Sequence, residues 1–132
     1  MSKKKRQSTN KTFTIRNDLF CFEIDVYIGE WNDYCKWRAC RYPNYDFDER
    51  IEGTGAIFHP GCVRTGQQVP VGVLWLPKNA TARIITHEAI HAAGWVYRNK
   101  ALGNGPMDEY NEVFAYLTGD IVANICEKLN AG

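Results

Sequence analysis

The hydrophobic pattern of the chain changes its period once, after Pro77, and this change constrains the fold more than any other feature. Before Pro77, apolar residues alternate with other residues, as Phe22, Ile24 and Val26 do within residues 19–28. This spacing is typical of a strand. After Pro77, apolar residues recur every three or four positions, which indicates amphipathic helices. Strands followed by helices predict an α+β fold, in which a small, mostly antiparallel sheet packs one face against two main helices.

Three apolar runs are predicted to be strands. Residues 19–28 form a half-buried strand that Gly29 ends, and residues 53–58 form a short strand before the turn residues His59-Pro60-Gly61. Residues 69–76 form an extended apolar run that Pro77 ends. Residues 34–42 are compatible with either a strand or a short helix.

Two helices are predicted in the second half of the chain. The first runs from a cap at Asn79 or Thr81 to about Arg98. Its apolar stripe comprises Ile85, Ala89, Ala92 or Ala93, and Val96. Glycines and a proline separate it from a second helix over residues 107–129, whose stripe comprises Val113, Leu117, Ile121 with Val122, and Ile125.

The first 16 residues differ in composition from the rest of the chain. They hold six basic residues and no acid, whereas the whole chain has 16 basic and 15 acidic residues. We therefore expect a disordered basic tail over residues 1–16 and a single domain over residues 17–132. The run KKKR could contact nucleic acid, although a solubilising tail is favoured. Neither the apolar core of a secretory signal nor a stretch of about 18 apolar residues is seen, so we expect a cytoplasmic protein without membrane contact.

The five cysteines are expected to be reduced in that compartment, and their number is odd. Cys35-x4-Cys40 and His59-x2-Cys62 together could supply four ligands of a structural zinc site. Their spacing is not that of a standard zinc knuckle. Buried packing thiols are therefore the favoured interpretation.

Residues 87–91 read His-Glu-Ala-Ile-His on the first predicted helix. His87 and His91 are four residues apart, so they project from the same face and both imidazoles can reach one zinc ion. Glu88 lies beside the metal, where it can take a proton from metal-bound water and deliver it to a leaving amine. The pattern therefore predicts a hydrolytic zinc site, with a pair of surface histidines as the less favoured alternative.

A catalytic zinc site usually has a third protein ligand, and the second helix offers candidates. They are Asp108, Glu109, Glu112, Tyr116 and Asp120. Glu109 and Glu112 are about one turn apart, so either could point at the metal.

The pairing of His87-Glu88-x-x-His91 with a downstream Asn111-Glu112 resembles the gluzincin metallopeptidases, and the short chain resembles the minimal, phage- or plasmid-type members. The resemblance covers about residues 80–120. It implies a zincin-like domain, a Zn²⁺ cofactor, a peptide or protein substrate, and host cytoplasm as the location if the chain is phage-encoded. It also implies that Glu112 is the third ligand, with Glu109 as the reserve.

The chain departs from the family in its supporting residues. Many gluzincins have an aspartate four residues after the glutamate ligand, where this chain has Tyr116, so Tyr116, Asp120 or a backbone carbonyl would orient a ligating histidine. The family's transition-state His or Tyr comes from a later domain, and its substitutes here would be Tyr97, Tyr110 or His59.

These departures leave other functions open beside peptide hydrolysis. One is a catalytically weak or inactive zinc-binding protein that engages a host protein or nucleic acid, and another is hydrolysis of a different amide or ester. In the family, the strand that precedes the metal helix often lies at the sheet edge and pairs with an extended peptide. Residues 71–76 hold that position here, and they are interpreted equally well as such an edge strand or as a core strand.

Overall fold

The computed structural model describes residues 10–47, 55–99 and 112–130. Within these ranges the elements in chain order are β1 (Lys11–Asn17), β2 (Phe22–Ile28), α1 (Trp31–Arg41), β3 (Ile57–Val63), β4 (Pro70–Leu76), α2 (Ala82–Asn99) and α3 (Glu112–Asn130). The predicted α+β class is confirmed. Among these residues, no helix combines the length and the apolar character that crossing a bilayer requires.

The four strands form one mixed sheet in the order β1-β2-β4-β3. The two outer pairs are antiparallel, and the central pair of β2 with β4 is parallel. β4 therefore lies inside the sheet, so the edge-strand interpretation of residues 71–76 is wrong and the core-strand interpretation is confirmed. The edge beside α2 is formed by β3 instead.

Both faces of the central strands are buried, and alternation divides their side chains between two clusters. Ile24, Val26 and Leu74 pack with α2 and α3 on one face. Tyr27 and Trp75 pack on the other face with aromatic residues of α1. The predicted placement of the two main helices on one face is confirmed. The strand predicted at residues 19–28 is present as β2, but the prediction that only one of its faces is buried is wrong, because α1 covers the second face.

The sheet begins earlier in the chain than expected. β1 starts at Lys11 and pairs with β2 from Lys11↔Ile28 to Asn17↔Phe22. Residues 11–16 therefore belong to the sheet, and the predicted tail boundary at residue 16 is wrong. Residues 1–9 lie outside the described residues. The sequence concealed β1 because its apolar positions are few and lie among basic and polar residues.

The predicted turn at His59-Pro60-Gly61 lies within β3 rather than at its end. The register of β3 on β4 shifts between His59 and Cys62, as it does at a β-bulge. Gly61 has a φ of 73°, a left-handed conformation that glycine adopts at little cost. The residues that predicted a turn therefore form a β-bulge within a continuous strand.

The buried carboxylate of Asp25, on the aromatic face of β2, connects the sheet to the end of α1 and to the residue that follows β3. The side chain of Asp25 is 1% exposed. Its oxygens accept hydrogen bonds from Tyr42 Oη (2.6 Å), Thr14 Oγ1 (2.7 Å), Arg64 Nη2 (2.8 Å), Arg64 Nε (2.9 Å) and Arg41 Nε (3.2 Å). Burial alone would raise the pKa of Asp25, but the hydrogen bonds, led by those from Arg64, hold it well below its usual range.

Replacing this carboxylate should destabilise the fold in a pH-dependent way. We expect Asp25→Asn to lower the free energy of unfolding by about 3 kcal/mol at pH 7, because Arg64 and Arg41 lose a buried partner. Since the folded pKa is lowered, the stabilisation is complete above the unfolded-state pKa of about 4 and is lost as pH falls below it. Urea unfolding at pH 7 and pH 3 measures both effects. Glu23→Gln, at a more exposed partner of Arg64, is the control, and an unchanged midpoint for Asp25→Asn at pH 7 would contradict the assignment.

Candidate metal centre

The start and the rotation of α2 are fixed by local sequence. Thr81 caps the helix, since its hydroxyl accepts a hydrogen bond from the Ile84 N–H (3.3 Å) and its carbonyl accepts one from the Ile85 N–H (2.9 Å). The predicted stripe is buried along its length: Ile85, Ala89, Ala92, Ala93 and Val96. This packing holds the stripe on the sheet, so His87 and His91 lie on another face of the helix.

The two histidines converge. Their Nε2 atoms are 3.2 Å apart, and the ring centroids are separated by 4.8 Å with the planes at 76°. Two nitrogens bound tetrahedrally to zinc at about 2.0–2.1 Å lie roughly 3.3 Å from each other. The distance also suits an N–H···N hydrogen bond between neutral imidazoles. The separation of the two nitrogens therefore fits either arrangement.

Glu88 lies against the same pair but is buried, with 6% of its surface exposed. Its Oε2 is 4.0 Å from His87 Nε2. Burial raises the pKa of Glu88, and the charges that His91 and His87 carry when protonated act in the opposite direction. A carboxylate in this position accepts a proton more readily than an exposed one.

The three residues open on a cavity of about 340 Å³ between α2 and the edge strand β3. Its other walls come from Ala56, Ile57, Phe58 and Pro60 beside or within β3, and from Trp95 and Arg98 on α2. The rings of Phe58 and Trp95 contact each other with centroids 5.9 Å apart. The cavity thus combines two imidazoles, one carboxylate, one guanidinium and an aromatic wall.

Within the described ranges, no three or more His, Cys, Asp or Glu side chains form a group that could hold a metal ion. Glu112 is the exposed first residue of α3. Two residues later, Phe114 contacts Tyr97 with ring centroids 6.4 Å apart. Tyr97 follows His91 by six residues, which is about 240° around the helix axis. Within the described residues, Glu112 does not form a metal-binding group with His87 and His91.

Three further candidates, Asp108, Glu109 and Tyr110, lie outside the described residues. The third ligand, Glu112 or Glu109, stays a prediction.

The residues proposed to support the site have other contacts. Asn17 Nδ2 at the end of β1 donates to Tyr116 Oη (3.3 Å) and to Asp120 Oδ2 (3.2 Å), so both residues join α3 to the sheet. Tyr97 is buried against α3. His59 is buried and contacts the rings of Tyr45 and Phe47, which identifies it as a packing residue.

None of the five cysteines, all of which lie in the described part of the chain, forms a disulfide, and none belongs to a metal-binding group there. Cys62 is fully buried, and burial raises the pKa of its thiol to about 12. It therefore stays protonated at neutral pH. Cys35 is partly buried and Cys40 is exposed on α1.

Comparison of the chain with protein-family models, with curated proteins and with solved structures finds no match. The resemblance to gluzincins therefore rests on the motif residues. Sequence reasoning did not find Phe58, Trp95 and Arg98 as part of the site. Trp95 and Arg98 follow His91 by four and seven residues and so share its face of the helix, which could have indicated them. The position of Phe58 depends instead on strand order.

Zinc binding should depend on both histidines. We expect His87→Ala and His91→Ala each to weaken zinc binding at least tenfold, because each removes one of two converging donors. Competition with a chromophoric chelator measures the affinity. Thr86→Ala, at an exposed neighbour on α2, is the control, and equal affinities for all variants would exclude this metal centre.

The third ligand can be identified in the same assay. We expect Glu112→Gln to weaken zinc binding and Glu109→Gln to leave it unchanged, because the resemblance assigns the ligand to Glu112. The reverse result would assign Glu109. If neither variant changes the affinity, the glutamate-ligand assignment is wrong.

Proposed function

We propose that the protein is a zinc-dependent metallopeptidase, with Glu88 as the general base for hydrolysis of a peptide bond. The observation that carries this proposal is the 3.2 Å separation of the His87 and His91 Nε2 atoms, on a cavity that Glu88 also lines. The two imidazoles fit zinc in donor type and in spacing.

His87 and His91 would hold the ion, with Glu112 completing the ligand set as the resemblance implies and Glu109 in reserve. When bound, zinc supplies Lewis acidity that brings the pKa of water to about 7. Glu88 accepts the proton of the attacking water and passes it to the nitrogen of the leaving amine. Its burial limits exchange of that proton with bulk water.

The position of β3 supports a peptide as the substrate. β3 is the edge of the sheet on the side of the cavity, and residues within or beside it line the cavity. An extended peptide can add to such an edge through main-chain hydrogen bonds. A peptide laid along β3 would pass in front of the two histidines, which is the placement that hydrolysis of its backbone requires.

The role of Glu88 is tested by a substitution that keeps its shape. We expect Glu88→Gln to retain zinc within a factor of a few and to lower peptide cleavage at least a hundredfold, since the amide cannot accept the proton. Chelator-sensitive cleavage of unfolded casein and of a peptide library measures activity. The zinc stoichiometry of each variant is measured separately. Glu127→Gln, at an exposed glutamate of α3, is the matched control.

Two outcomes would contradict the proposal in different ways. Equal cleavage by Glu88→Gln and the unaltered protein would remove Glu88 from the mechanism. Zinc bound by the unaltered protein, with no cleavage of any substrate, would instead favour a non-enzymatic protein that uses the metal as a scaffold and engages a host protein or nucleic acid.

A further inference from the structure

Arg98 lies in the same cavity as the histidines, and its side chain folds back along α2. Its Nη1 atom is 3.4 Å from the point that a Cβ on Gly94 would occupy. Gly94 follows His91 by three residues, a rise of about 4.5 Å along the helix axis. The guanidinium therefore lies beside Gly94, one helical turn back from Arg98 in the direction of His91.

The guanidinium has no acidic partner in the part of the chain that the structure describes. Among the described residues that line the cavity, Glu88 and Arg98 are the charged side chains besides the two histidines. A guanidinium presents its N–H donors in a planar fork that matches the two oxygens of a carboxylate. The cavity thus has an exposed cation that is available to an anionic group.

An aromatic pair forms part of the wall of the same cavity. Trp95 lies on α2, and its ring contacts Phe58 of β3. Gly72 of β4 makes room for the pair, because a Cβ there would lie 2.7 Å from the Phe58 ring and 3.2 Å from Trp95. The wall is therefore held directly against the sheet.

We propose that Arg98 binds a carboxylate of the substrate, within about one or two residues of the bond that is cleaved. The spacing follows from the folded-back guanidinium and from a rise of about 3.3 Å per residue in an extended peptide. The position of the cleaved bond rests on the proposed function, whereas carboxylate binding does not. The carboxylate is either the free C-terminus of the substrate or an acidic side chain.

Binding, rather than turnover, tests this assignment. The zinc-loaded Glu88→Gln protein is titrated calorimetrically with two matched pairs of peptides. The first pair differs only in a free or amidated C-terminus. The second pair is amidated and differs only in Asp or Asn one residue before the end. We expect the carboxylate member of at least one pair to bind about tenfold tighter, the size of one charge-assisted contact.

Adding Arg98→Gln should abolish that preference, and Arg98→Lys should retain part of it because the charge remains without the planar fork. Arg83→Gln, at an exposed arginine of the same helix, should leave it intact. The pair that shows the preference identifies the source of the carboxylate. Equal binding within both pairs, a preference that survives Arg98→Gln, or no binding of any peptide would overturn the proposal. If the preference depends on Arg98 but the unaltered protein cleaves nothing, the proposed peptidase function fails and the carboxylate site stands.

Discussion

The parallel pairing of β2 with β4 is the contact on which the rest of the molecule depends. Because these strands lie at the centre of the sheet, both of their faces must be covered, and the near-continuous apolar run of β4 reflects this. α1 covers one face, while α2 and α3 cover the other. With β4 inside the sheet, β3 becomes the edge beside α2. The cavity that holds the histidines lies between that edge and α2.

The two faces of the sheet have different packing, and each kind suits its role. The face beneath α2 is aliphatic, and alanines at positions 89, 92 and 93 allow the helix to approach the sheet closely. The opposite face is aromatic. There the guanidinium of Arg38 lies 4.4–5.1 Å from the ring centroids of Trp31, Tyr34 and Phe47. This face also carries the buried Asp25. The buried groups Asp25 and Arg38 thus lie on the face of the sheet opposite to the candidate metal centre.

The sequence predicts elements well where their signal is local. The stripes of α2 and α3 and the Thr81 cap follow from spacing and from single-residue chemistry. Strand order is not local, so periodicity did not reveal that β4 lies inside the sheet. α1 was ambiguous because its buried residues are a tyrosine and an arginine, Tyr34 and Arg38, rather than an apolar stripe. For the same reason the motif predicts the histidine pair, while Phe58 enters the site only through the register of β3.

The donors of the proposed zinc site also divide into those that local sequence predicts and those that depend on tertiary structure. His87 and His91 belong to one helix, so their convergence depends only on helical geometry and on the packing that fixes the rotation of α2. A third protein donor must come from another part of the chain, and catalytic zinc sites generally have one. Metal binding would then connect α2 to the segment that provides the donor, and its free energy would stabilise that connection. The affinity of the chain for zinc therefore reports on tertiary structure beyond α2, in addition to the two imidazoles.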